Sequence, residues 1–207
     1  MVYNKELKRD IPVGWDVKEL GDICSFSNGV NYDKDVIGDK KYRIVNVRNV
    51  SSSTFLIDKD NLDVIDLVSK QADKYIVAND SILIARSGCP GAVRLLLDNK
   101  DVIYCGFIIQ CLPNNATLRY YIAYNLKQYE GSNVTKTGGS ILQNVSQDTL
   151  KKILLLQPSS YIIDKFNNII YPIIDSLQLK IKENSDLASL RDFLLPMLMN
   201  GQVTFKE

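Results

Sequence analysis

Residues 160–201 read SYIIDKFNNIIYPIIDSLQLKIKENSDLASLRDFLLPMLMNG. Within them Ile163, Phe166, Ile170, Ile173 and Leu177 follow one another at steps of three, four, three and four. That spacing lays an apolar stripe along one side of a helix, in the pattern of a coiled-coil seam. The register weakens at Lys180 and Asn184, and apolar positions resume at Leu187, Leu190 and Leu194. Pro172 has no N–H to give and is expected to kink the helix or leave one bond unmade. Pro196, followed by Asn200-Gly201, is expected to end it. A helix from about residue 160 to 194 would be roughly 50 Å long at 1.5 Å per residue. The residues that precede it cannot cover a stripe of that length, so part of it is expected to meet another helix.

Upstream the period changes to two. Lys41 to Val50 alternates: Tyr42, Ile44, Asn46, Arg48 and Val50 share one face, and Arg43, Val45, Val47 and Asn49 the other. Each face mixes apolar with polar residues, so the stretch reads as a strand whose end projects Asn46, Arg48 and Asn49 beyond the core. Tyr75 to Ala78, Ser81 to Arg86, Ala92 to Leu97, Val102 to Leu112 and Ile153 to Gln157 read as further strands. Gly106 breaks the longest of them, and Gly/Pro turn signals separate the others. Leu118 to Tyr129 has helical spacing with Gly131 at its end, and Ser146 stands as an N-cap ahead of residues 147–150. Pro12 and Gly14 forbid a regular helix in the lead-in, where Trp15, the single tryptophan, is expected to be an anchor. The fold class is therefore α+β: a mostly β domain over residues 1–158, then a long C-terminal helix and tail over 159–207.

Composition narrows the chemistry. The chain has 207 residues, 45% apolar and 24% charged, and no apolar run long enough to span a membrane. The polar start is not a secretory signal, and a cytoplasmic location is expected. There is no histidine, which excludes Ser–His–Asp and Cys–His catalysis. Cys24, Cys89, Cys105 and Cys111 form no C-x-x-C pair, so reduced, partly buried thiols are expected and no metal site. The acids Asp58, Asp60, Asp63 and Asp66 lack the glycine and terminal glutamate of a calcium loop and read as a solvated loop. No phosphate-cradling loop or dinucleotide fingerprint is present, and no cofactor is expected. Net charge is only +1, yet it is unevenly spread. Residues 51–80 carry three bases and six acids, whereas residues 81–152 carry eight bases and four acids. Such segregation can place one basic face on a neutral molecule.

Two loops carry the residue types that contact nucleic acid. In the first, Arg86 and Arg94 flank the Ser87-Gly88-Cys89-Pro90-Gly91 turn between apolar strands. Arginine donates a bidentate pair to guanine or binds phosphate. In the second, Gly138 and Gly139 allow close backbone approach, and Lys136, Thr137, Ser140, Gln143 and Asn144 supply donors for phosphate oxygens and base edges. A plain hairpin and a polar surface loop are the alternative readings of the two.

In order along the chain, these segments resemble the specificity-subunit family of type I restriction–modification systems. The resemblance rests on Ile11-Pro12-Val13-Gly14-Trp15 with Leu20-Gly21, on Asn79-Asp80-Ser81-Ile82-Leu83, and on Arg86-Ser87-Gly88 with Gly91. It continues through Thr137-Gly138-Gly139-Ser140 to Asn144, Leu150 to Pro158, and the final Leu190-Arg191-Asp192-Phe193-Leu194-Leu195-Pro196. No single piece is specific; the ordered set is.

The resemblance implies a non-catalytic subunit that selects a DNA sequence. Members of the family carry two recognition domains, each followed by a helix, and the two helices pack antiparallel so that a bipartite site is read. Methyltransferase subunits dock on them and, in the full enzyme, restriction subunits too. This chain matches one such unit, which implies a C-terminal half or a half-length protein pairing as a homodimer through its helix. The expected contacts to double-stranded DNA are Arg43, Asn46, Arg48, Asn49, Arg86, Arg94, Lys136, Thr137, Ser140, Gln143 and Asn144. The expected dimer seam is Ile163, Phe166, Ile170, Ile173, Leu177, Leu187 and Leu194. The rival reading is a module that binds another protein rather than DNA and assembles through the same helix.

Overall fold

A computed structural model describes residues 1–32, 38–130 and 145–202. The chain divides into two compact units, Met1–Asn168 and Ile169–Glu207. Among the described residues no helix is long and apolar enough to cross a membrane.

The first unit opens with an antiparallel hairpin, β1 (Val2–Asn4) on β2 (Arg9–Ile11). β3 (Asp16–Glu19) runs into the one-turn helix α1 (Leu20–Ile23) and then β4 (Cys24–Asn28). β5 (Lys40–Val45) is followed by the short helix α2 (Val47–Ser52), then β6 (Asp63–Leu67) and α3 (Ser69–Ala72). β7 (Ile82–Ala85), β8 (Val93–Arg94), β9 (Val102–Tyr104) and β10 (Ile108–Pro113) come next. The helices α4 (Arg119–Tyr129) and α5 (Gln147–Lys151) lead to β11 (Leu154–Gln157) and to the long helix α6 (Ser160–Met199).

Two sheets carry the core. One is antiparallel in the order β4-β10-β7-β8; the other has β5 in the middle, antiparallel to β6 and parallel to β9. β7 reads Ile82-Leu83-Ile84-Ala85, and all four residues are buried, so an unbroken apolar run is covered on both faces. β5 keeps the predicted alternation, with Tyr42 and Ile44 buried and Lys41 and Arg43 turned outward. Tyr42, Ile44 and Ile103 from one sheet join Leu83, Ala85 and Ile108 from the other in a single cluster. Each such side chain contributes about 1.5–3 kcal/mol by leaving water. Tyr104 is wholly buried, its hydroxyl 2.7 Å from Ser27 Oγ. Burial pushes the Tyr104 phenol up, against the opposing bond to Ser27.

The chain crosses from one sheet to the other at residues 105–107. Gly106 interrupts the apolar run there, as expected, and the backbone turns with Ile108 N donating to Cys105 O at 2.9 Å. Gly29 packs under this corner. A Cβ on Gly29 would lie 2.2 Å from the Cys105 carbonyl oxygen and 2.3 Å from that of Tyr104. Both obstacles are backbone and cannot rotate away. Gly29→Ala is therefore expected to lower stability by about 1–3 kcal/mol or more, read as a shifted urea midpoint with an unchanged slope.

Several expectations are corrected. The strand predicted over Lys41 to Val50 stops at Val45, and Val47–Ser52 is helical with Asn46 as its N-cap. Asn46 N donates to Asn49 Oδ1 at 2.8 Å, a local bond that short polar side chains offer the backbone in competition with a sheet ladder. Tyr75 to Ala78 is not a regular strand; Ile76 makes one isolated bridge to Ile103. α6 does not stop near residue 194 but at the expected Asn200-Gly201 signal. It runs 40 residues through both prolines, about 60 Å, and is closed by Gly201 N to Leu198 O and Gln202 N to Met197 O. A proline removes one ladder bond, but its fixed φ is helical, so the end waits for the Gly201 cap. The cysteines are free, as expected, with Cys24, Cys105 and Cys111 buried. A hydrogen bond with Cys24, together with burial, pushes the Cys111 thiol well up, which leaves it unreactive.

In α4, Leu118 (just ahead of it), Ile122 and Leu126 are buried at helical spacing. Tyr121 instead donates its hydroxyl to Leu156 O at 2.5 Å and meets Phe166 edge-on, ring centroids 6.1 Å apart. Asn167, also buried, donates to Thr117 O at 2.9 Å. The first turns of α6 are thus part of the first unit. Ile163 and Phe166, expected in a dimer seam, are covered or half-covered within it. In the second unit, Ile173, Leu177 and Leu187 are 48%, 41% and 56% exposed, while Ile170 and Leu194 are half-buried.

Candidate nucleic-acid interface

Three segments far apart in sequence meet at the corner between the sheets. The first is the start of α2, fixed there by Cys105 N donating to Val45 O at 3.0 Å. The second is the turn after β7. Gly88 has φ +76°, and a Cβ on it would approach Val47 Cγ1 to 2.7 Å, so this turn lies directly on α2 and needs glycine for both reasons. The third is the corner itself, since Arg86 N donates to Phe107 O at 2.8 Å. Val145 N donates to Arg86 O at 2.8 Å, which brings Val145 beside Arg86.

Several side chains at this corner are polar or exposed. Among the described residues the Arg86 guanidinium has no hydrogen-bond or ion-pair partner, and the residue is half-buried at the end of β7. Arg48 stands out from α2 and pairs with Asp63, which also accepts from Asn46 Nδ2 at 3.2 Å. Tyr32 donates its hydroxyl to Asn46 Oδ1 at 3.3 Å. Asn46, Tyr32, Val30, Asn31, Cys105, Gly106 and Phe107 line a cleft of about 280 Å³. Phe107 is 58% exposed at the tip of the turn, an apolar ring kept in water by the backbone that carries it.

Not every expected contact is at this corner. Arg43 lies on the outward face of β5, where it donates to Lys59 O at 2.9 Å. Asn49 is buried, receiving from Asn46 N and donating to Asn61 O at 3.2 Å, so it holds the loop rather than facing outward. Arg94 is buried as well. Its guanidinium bonds Ser53 O, Val93 O and both Glu130 oxygens, which makes it part of the framework. Lys136, Thr137, Ser140, Gln143 and Asn144 lie outside the described residues. Sequence reading passed over Tyr32 and Phe107. Gly106 marked a break, but nothing local to Phe107 distinguishes an exposed ring from one more strand residue.

Among the described residues no group of three or more Cys, Asp or Glu side chains is placed to hold a metal ion. What the corner offers is a set of donors and an aromatic edge on a rigid β frame. That is a binding surface suited to a polar polymer, carried on an α+β domain that continues into a long helix.

The chain belongs to the family described as the type I restriction modification DNA specificity domain, whose profile matches residues 12–187. It is 24% identical over its whole length to the type I restriction enzyme MjaIX specificity subunit of Methanocaldococcus jannaschii, covering 48% of that protein. It is 27% identical over 93% of its length to the HindI specificity subunit of Haemophilus influenzae, covering 42% of it. The chain thus spans about half the length of these curated relatives. Its fold is that of the HsdS subunit from Thermoanaerobacter tengcongensis, with a TM-score of 0.58 at 13% identity over 94% of this chain and 47% of that one. The S subunit from M. genitalium gives 0.53 at 17% identity over 93% and 46%.

Proposed function

We propose that this chain is a DNA target-recognition module, reading one half of a bipartite site for a type I restriction–modification complex. The observation that carries it is the meeting of Arg86, α2 and the Phe107 turn at one corner, in a chain of the specificity family. Recognition is placed in residues 1–158 and assembly in 159–207. Arg86 and Arg48 are the base-edge or phosphate donors of the described corner. Lys136, Thr137, Ser140, Gln143 and Asn144 belong to the same proposal, because they precede in sequence Val145, whose N donates to Arg86 O. Methyltransferase subunits supply the chemistry, and with them restriction subunits in a full complex. Two copies paired through α6 would read a site with two-fold symmetry, since a symmetric dimer presents identical halves. With a net charge of +1, affinity comes from the assembled complex and sequence choice from this chain.

The test is binding of the chain, assembled with its methyltransferase subunit, to duplex DNA carrying the methylated sequence found by methylation mapping. Arg86→Ala is expected to weaken binding about 10- to 100-fold, the worth of one bidentate base contact, while leaving the urea midpoint in place. Wild-type affinity in Arg86→Ala would remove the corner from the interface. Binding that ignores salt and sequence would favour the protein-interaction reading.

A further inference from the structure

The outward face of the three-stranded sheet holds a second cleft, of about 290 Å³, lined by Lys41, Tyr42, Arg43, Lys59, Val64, Lys100 and Asp101. Four cations and one carboxylate meet there in a protein whose net charge is +1. Most of these charges are already matched. Lys40 reaches Asp101 at 2.6 Å, Lys59 reaches Asp98 at 2.7 Å, and Arg43 lies 3.6 Å from Asp60. Lys41 and Lys100 have no ion-pair partner among the described residues, and both are exposed. The cleft therefore keeps two lysine ammonium groups outside any ion pair among the described residues, Lys100 also standing near the Asp98 and Asp101 carboxylates. One comes from the exposed face of β5. The other comes from the turn where Val102 N donates to Asn99 O at 3.1 Å and Asp101 sits at φ 55°.

We propose that this cleft seats a phosphodiester of the DNA backbone, clamped by Lys41 and Lys100 with Arg43 beside them. The proposal rests on the DNA-recognition reading. Geometry favours it because Lys41 precedes Asn46 by five residues of nearly extended chain, roughly 16 Å. A duplex laid on the corner presents a phosphate on each strand every ~3.4 Å of axis, so its backbone continues across the cleft. Lysine holds phosphate as a point charge without reading bases. The cleft sets the register of the duplex, and the corner reads it.

The experiment measures duplex affinity against salt for the chain assembled with its methyltransferase subunit. In the variant Lys41→Ala/Lys100→Ala, the slope of log affinity against log salt is expected to shrink by about 1–2. The ratio of target to unrelated duplex should stay at its wild-type value. The control variant Lys5→Ala/Lys152→Ala, which removes two exposed charges elsewhere, should keep the wild-type slope. Duplexes with single neutral methylphosphonates should weaken wild-type binding at one or two positions and leave the cleft variant indifferent there. A cleft variant with the wild-type slope, or with an altered target ratio, overturns the proposal. A wild-type complex that shows no salt-dependent binding to any duplex overturns instead the DNA reading beneath it.

Discussion

Replacing Arg94 with alanine is expected to cost the first unit about 3–5 kcal/mol of stability, the usual loss when one partner of a buried pair is removed. The Arg94 side chain is 5% exposed and that of Glu130 25%. Arg94 NH1 lies 3.0 Å from each Glu130 oxygen, and its Nε donates to Ser53 O at 2.7 Å. Alanine strands both acceptors away from full hydration. Lys127, 2.5 Å from Glu130, keeps part of the carboxylate matched, so the loss should fall toward the lower figure. Arg94→Ala combined with Glu130→Gln should recover part of it, because no uncompensated charge is then left. A loss under about 1 kcal/mol in urea titrations would show that the pair resembles an ordinary surface bridge.

The same pair sets a pH dependence. Burial raises the Glu130 pKa, but the hydrogen bonds from Arg94 and Lys127 outweigh it and hold the carboxyl below its ordinary value of 4.5. A depressed acid contributes stability above its unfolded pKa and loses it as pH falls through the lower folded value. Wild-type stability should therefore decline below about pH 4.5, and the part due to Glu130 should be smaller in Arg94→Ala. Urea midpoints at pH 7 and at two points on the acid side would separate the two curves.

Turning Ile173 and Leu177 into glutamates is expected to abolish self-association through α6. Two apolar side chains buried in a seam contribute about 1.5–3 kcal/mol each, so losing both weakens pairing by about 10²- to 10⁴-fold. Both residues are exposed within the second unit, so the variant should keep the melting behaviour of the first. Sedimentation at tens of micromolar, with the wild type as a dimer and the variant as a monomer, checks it. An unchanged mass would move the assembly surface elsewhere.

How far the sequence could be read depended on the range of each signal. The long helix was legible because three-four spacing repeats over many turns, and β7 because an apolar run between turn signals has few alternatives. The helix was read to about residue 194, short of its end, since proline's bad fit in a helix interior is a matter of one bond. It stops at the Asn200-Gly201 signal, where the Gly201 cap satisfies two carbonyls. The strand over 41–50 was read too long because alternation persists into Asn46–Asn49, where a side-chain bond to the backbone takes over. Among the candidate contacts, Arg86 and Arg94 look alike in sequence, flanking one turn. One ends beside the corner with its guanidinium free among the described residues, and the other is buried against Glu130, 36 residues further along.

By itself, then, the amino-acid order determined an α+β chain ending in a long amphipathic helix, without histidine chemistry, in the likeness of a DNA-specificity subunit. These follow from local periodicity, composition and ordered motifs, all of which are written along the chain. Only the tertiary structure decided that the start of α2, the Gly88 turn and the Phe107 corner share one surface. It also decided that Ile163 and Phe166 serve the first unit, and that Lys41 and Lys100 line one cleft. Burial and charge compensation depend on what lies across from a residue, and no local pattern carries that.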